Sequence, residues 1–85
     1  MNVKLYVGNL PKSMTQRELT ALFDQAGEVI VADLITDRSN GESKGFAFVT
    51  MSSRSEAERA IHMFNTCSLN EQQIKVNMAK LPFRL

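Results

Sequence analysis

From Lys44 to Met51 the chain reads Lys-Gly-Phe-Ala-Phe-Val-Thr-Met, with lysine and two phenylalanines at every second position and Gly45, Ala47 and Val49 between them. Successive side chains of a β-strand point to opposite faces. As a strand, this run therefore puts Lys44, Phe46 and Phe48 on one side and Gly45, Ala47 and Val49 on the other. The sizes are inverted: small residues take the side where a core would be, and large rings take the solvent side. A chain of 85 residues is enough for one compact domain with a modest core, so apolar area is scarce. Two phenylalanines spent on a wet face beside a lysine make little sense as packing. They suit a surface that stacks nucleobases and holds a phosphate.

The flanking segments supply the rest of a fold. Val3 to Gly8 alternates Val3, Leu5 and Val7 with Lys4 and Tyr6, which predicts a strand. Thr15 with Glu18 three residues on has the capping-box pattern, and Leu19, Leu22, Phe23 and Ala26 make one helical stripe that Gly27 is placed to end. Glu28 to Thr36 predicts a second strand, and Asn40-Gly41 predicts the turn of a hairpin into the Lys44 strand. Ser53 with Glu56 repeats the capping-box pattern before Ala57, Ala60, Ile61 and Phe64, with Asn65 and Thr66 ending that helix. A last strand runs from Ile74 to Ala79, alternating Ile74, Val76 and Met78 with Lys75 and Asn77.

The order is β-α-β-β-α-β. Right-handed crossovers place both helices on one face of one sheet and leave the other face bare. This predicts an α+β, ferredoxin-like split βαβ domain: a four-stranded antiparallel sheet with the first and third strands central. Such a plan by itself names no function. Register then selects the bare face. With Leu5 and Val7 turned to the helices, Lys4 and Tyr6 face outward; Phe46 and Phe48, Val31, Asp33 and Ile35, and Lys75, Asn77 and Ala79 join them. A slip of one residue would bury lysines and expose Leu5 and Val7, which pins the register.

Net charge is only +1, which argues against a histone-like grip by bulk charge but not against charge unevenly placed. Lys4, Lys44 and Lys75 share the bare face with Asp33, while the helix side has Glu18, Asp24, Glu56 and Glu58 against Arg17, Arg54 and Arg59. The lone cysteine, Cys67, excludes an internal disulfide and a multi-cysteine metal site; it reads as a packing residue, and no cofactor or metal is expected. No apolar run has the length of a membrane span and no signal-peptide h-region opens the chain. The expectation is an intracellular protein with no membrane contact, cytoplasmic in a bacterium and nuclear or cytoplasmic in a eukaryote. No catalytic constellation or phosphate-binding P-loop is present, so no enzyme is expected.

Leu5-Tyr6-Val7-Gly8-Asn9-Leu10 and Lys44 to Met51 resemble the RNP2 and RNP1 motifs of the RNA recognition motif family, in the right order and at the right places. Thr36-Asp37-Arg38 through Phe46 resembles that family's approach to its third strand, and Ile74 to Ala79 its last strand. The resemblance covers roughly residues 2–80, so residues 1–80 are taken as the domain and 81–85 as a short tail. It implies single-stranded RNA as partner, with Tyr6 and Phe48 stacking on adjacent bases, Phe46 against the sugars between them and Lys44 on a phosphate. Asn77, Ala79 and Lys80 would read base edges, with Lys4 and Lys75 adding charge. Met51 departs from the aromatic that usually closes RNP1, at a position that faces inward. Asp33 departs too: its carboxylate repels phosphate or favours a base offering amino donors.

Bland readings stand beside these. The three rings could form a protein-binding patch or lie under the tail, and single-stranded DNA offers the same base faces. Arg38 reads as a solvated loop charge, His62 as exposed without a catalytic partner, and Phe83 as either an extension of the platform or a free tail residue. The chain is expected to be a stand-alone monomer; a domain cut from a larger factor is the alternative.

Overall fold

The computed structural model describes residues 2–69 and 71–79. Alternating apolar residues form β1 (Val3–Gly8), β2 (Val29–Thr36) and β3 (Ser43–Met51), and the two apolar stripes form α1 (Gln16–Asp24) and α2 (Arg54–Phe64). Beyond α2 come two short strands, β4 (Ser68–Leu69) and β5 (Gln72–Gln73), and then β6 (Lys75–Met78). The four-stranded sheet has the order β2-β3-β1-β6, so β1 and β3 are central as expected, and its pairings are antiparallel. The β4–β5 hairpin is a separate two-stranded sheet, and the sequence reading did not foresee it.

The core lies between sheet and helices. Leu5, Val7, Ala47, Val49, Met51 and Val76 project from the strands into it, and Leu19, Phe23, Ala57, Ala60 and Phe64 meet them from the helices. The Phe23 and Phe64 rings are 4.9 Å apart, so α1 and α2 touch over the same side of the sheet. Among the described residues the other side carries no helix. Small Ala47 and Val49 let that second layer approach closely, and truncating Phe23 to alanine would cost about 3–5 kcal/mol.

Helix α1 starts as the sequence predicts. The Thr15 hydroxyl accepts from the Glu18 N–H at 3.1 Å and the Glu18 carboxylate accepts from the Thr15 N–H at 3.0 Å, a complete capping box. At α2 the expectation is half right. Ser53 accepts from the Glu56 N–H at 3.3 Å, but the Glu56 carboxylate turns away and accepts from the Ser52 hydroxyl and, at 3.2 Å, from the Glu28 N–H. Glu56 thereby ties the start of β2 to α2. Gly27 does not terminate α1, which stops at Asp24 with Gln25 as its cap in an αR conformation. Its missing side chain instead leaves room for Glu56, since a Cβ on Gly27 would lie 2.6 Å from the Glu56 Cβ.

Strict alternation fails at two places. Val29 pairs with Met51 but Val31 with Thr50, an irregularity that leaves both Ile30 and Val31 exposed. On β3, the pairing jumps from Leu34–Ala47 to Thr36–Ser43, and Gly45 takes φ +87°. Gly45 is therefore half-exposed rather than turned into the core with Ala47 and Val49, and Ser43 is buried. The Asn40-Gly41 turn forms as expected: Gly41 has φ +74° and its N–H donates to the Asp37 carbonyl at 2.8 Å.

Candidate nucleic-acid interface

The two central strands put three rings on the helix-free face. Tyr6 and Phe48 are register partners across β1 and β3, with ring centroids 5.9 Å apart. Phe46 completes a triangle, 6.1 Å from Tyr6 and 6.2 Å from Phe48. Edge-to-face and tilted pairings at these spacings are favourable for rings; Phe46 and Phe48 are half-buried and Tyr6 is 37% exposed. Among the described residues neither helix lies on this side of the sheet. A Cβ on Gly8 would come within 2.6 Å of the Tyr6 hydroxyl, so glycine at that position lets the Tyr6 ring lie down over the end of β1.

Register carries the pattern across the whole sheet. Asp33 on β2 pairs with Phe48, Phe48 with Tyr6, and Tyr6 with Asn77 on β6. One residue from each strand thus forms a row, with a carboxylate at one end, an amide at the other and two rings between. Lys4 is exposed and its ammonium lies 5.6 Å from the centre of the Phe48 ring, within cation–π range. Lys75 is exposed opposite Gly8. Ala79 is half-buried just past β6, its N–H donating to the Lys4 carbonyl at 2.9 Å.

Beyond Tyr6 and Phe46 the sheet face ends in an open depression lined also by Lys44, Gly45, Lys12 and Gln72. The bulge at Gly45 belongs to this corner: the Gly45 carbonyl accepts from the Leu10 N–H at 2.8 Å, which seats the loop after β1 against β3. Among the described residues the one ion pair is Arg54–Glu58 on the outside of α2, so Lys4, Lys12, Lys44 and Lys75 have no carboxylate partner. The face is electropositive although the chain is nearly neutral.

The structure brings Lys4, Tyr6, Lys44, Phe46, Phe48, Lys75, Asn77 and Ala79 to one face or its rim. Lys80 and Phe83 lie outside the described residues. Sequence reasoning missed Lys12 and the pair Asn9–Gln72. Lys12 follows the first strand in a loop whose path depends on its bond to Gly45, and no local pattern announces that. Asn9 carried a signal: asparagine tolerates positive φ better than most residues, and here it takes φ +57°. Among the described residues no three His, Cys, Asp or Glu side chains converge as a metal site, and no helix is long and apolar enough to cross a membrane.

An open antiparallel sheet backed by two helices, with clustered rings and unpaired lysines on its free face, defines an open-faced sheet domain built to present a surface. The chain belongs to the RNA recognition motif family, whose sequence model matches residues 5–75. Among curated relatives it is 42% identical over 79 residues to the chloroplastic RNA-binding protein CP33 of Arabidopsis thaliana, covering 93% of this chain and 24% of that protein. It is 45% identical over 78 residues to the chloroplastic 31 kDa ribonucleoprotein of Nicotiana sylvestris, covering 92% of this chain and 25% of that protein. The chain thus spans about a quarter of the length of the curated relatives it matches. Among solved structures, the RNA-binding protein PG1 superposes with a TM-score of 0.87 at 37% identity, over 94% of this chain and 98% of that one. The Sxl-lethal protein/RNA complex gives 0.92 at 34% identity, over 99% of this chain and 50% of the other. The matching family, CP33 and PG1 are named for the recognition or binding of RNA.

Proposed function

We propose that the chain binds single-stranded RNA on its open sheet face and acts inside the cell in post-transcriptional processing or regulation of RNA. The observation that carries this reading is the triangle of Tyr6, Phe46 and Phe48, with centroids no more than 6.2 Å apart on the side without helices. Stacking on such rings contributes about 1–3 kcal/mol per base. Tyr6 and Phe48 stack adjacent bases, Phe46 lies against the sugars between them, and Lys44 pairs with a phosphate at the rim. Lys12, beside Lys44 in the same depression, extends that phosphate track. Lys4 and Lys75 supply diffuse charge, and Asn77, Ala79 and Lys80 read base edges. Residues 1–80 are the binding unit, acting as a monomer, with residues 81–85 as its tail.

Titration with short single-stranded RNA, followed by backbone amide shifts, tests this directly. Shifts confined to β1, β3, β6 and the Lys12 loop support it. Shifts confined to α1 and α2 would take the RNA off the sheet face and overturn this reading. Duplex RNA of the same sequence should compete poorly, because paired bases cannot be splayed onto rings. A DNA strand that binds as well as RNA would remove any role for the 2′-hydroxyl.

A further inference from the structure

Asp33 stands out on a face otherwise suited to an anionic ligand. It is exposed, it is the direct cross-strand partner of Phe48, and among the described residues it has neither an ion pair nor a side-chain hydrogen bond. Adjacent strands lie about 4.8 Å apart, and directly opposed side chains share a face with Cβ atoms about 5 Å apart. A base stacked on the Phe48 ring and extending toward β2 therefore brings an edge to the Asp33 carboxylate. An ionised carboxylate can only accept hydrogen bonds.

Resting on the proposed RNA reading, we infer that Asp33 selects the base that stacks on Phe48, favouring guanine. Guanine presents N1–H and an N2 amino group side by side, two donors that match the two oxygens of one carboxylate. Cytosine and adenine offer one amino group each. Uracil sets carbonyl oxygens on either side of its single N3–H, so its edge meets the carboxylate with like charge. Rejection follows because a carboxylate covered by a base that offers no donor loses its water without replacement. The opposite end of the row carries Asn77, whose amide both donates and accepts and so discriminates less. The arrangement explains why a negative charge is tolerated beside the rings: its cost toward phosphate is offset by a charge-assisted bond to the base.

The test uses the whole chain and uridine oligomers carrying one central guanosine, inosine, adenosine, cytidine or uridine, with Asp33→Asn as the variant. Asp33 is exposed, so the substitution leaves folding intact, and amide spectra check this. The wild type should bind the guanosine oligomer about tenfold or more tighter than the uridine oligomer. Inosine, which lacks the N2 amino group, should lose most of that advantage. In Asp33→Asn, guanosine, inosine and uridine should converge: affinity for the uridine oligomer rises because a repulsive charge has gone, and the guanosine oligomer, which loses its charge-assisted bond, gains nothing. This ratio, rather than the affinity, separates base reading from a general electrostatic effect. A guanosine preference that Asp33→Asn retains overturns the inference, as does a wild type indifferent to the central base. In either case continued binding, lost on removal of the rings, leaves the proposed function standing; no binding to any oligomer sinks both.

Discussion

Asn9 and Gln73, far apart in the chain, are joined by a hydrogen bond from Asn9 Nδ2 to the Gln73 carbonyl at 2.7 Å, and the Gln72 side chain donates back to the Asn9 carbonyl at 3.2 Å. The β4–β5 hairpin is thereby tied to the loop that leaves β1, and the depression holding Lys12 and Lys44 is walled by that tie. The backbone at Asn9 is left-handed, φ +57°, which aims its amide at the hairpin.

Replacing Asn9 separates its two duties. Asn9→Gly keeps the left-handed backbone without strain and loses only the bond, about 1 kcal/mol. Asn9→Ala adds the cost of a side chain in that region, about 1–2 kcal/mol more. Urea unfolding should rank them in that order, and amide exchange in β4 and β5 should quicken in both. Equal stabilities would show that the backbone there is not held left-handed.

Phe48→Ala removes the ring at the centre of the row. Binding of single-stranded RNA should weaken by about 1–3 kcal/mol, with a smaller loss of stability because the ring is only half-buried. Titration calorimetry beside thermal unfolding reads both. A variant that binds like the wild type would remove the rings from the site.

Lys44→Ala should flatten the salt dependence of RNA binding by about 0.7 in the slope of log K against log salt, the amount for one phosphate on a single strand. Lys12→Ala should do the same, and the two changes should add, because each ammonium meets its own phosphate. An unchanged slope in either variant takes that lysine off the phosphate track.

Two glycines of the site should respond oppositely. Gly45→Ala forces a side chain to φ +87° and should cost about 1–2 kcal/mol of stability. Gly8→Ala meets the outer atoms of the Tyr6 ring, which can tilt away. It should cost little stability and a larger share of binding. Chemical denaturation and an RNA titration on both variants decide it.

In the β2–β3 loop, the Ser39 hydroxyl and the Ser39 N–H both donate to the Asp37 carboxylate, at 2.7 and 2.8 Å. The hydroxyl bond first and the N–H bond second hold that carboxyl below the ordinary aspartate range. With the folded value depressed, the loop order it contributes is present above the unfolded value and lost as pH falls through the folded one. The Ser39 amide shift should titrate with a midpoint below about 3.9; a midpoint at or above that value contradicts the bonding.

Local patterns were enough to read the architecture. Period-two runs such as Leu5-Tyr6-Val7 and Phe46-Ala47-Phe48, the Thr15–Glu18 capping box, the Asn40-Gly41 turn and the two helical stripes each act within a few residues, and they dictate element order and the face on which Tyr6, Phe46 and Phe48 stand. They left open whatever depends on register between distant segments. The bulge at Gly45, the redirection of Glu56 to Glu28, the β4–β5 hairpin bonded to Asn9 and the row from Asp33 to Asn77 are set only when the core packs. A strand's own sequence specifies which side of it is apolar, but which residue stands beside which across four strands is decided by close packing of the helices on the sheet.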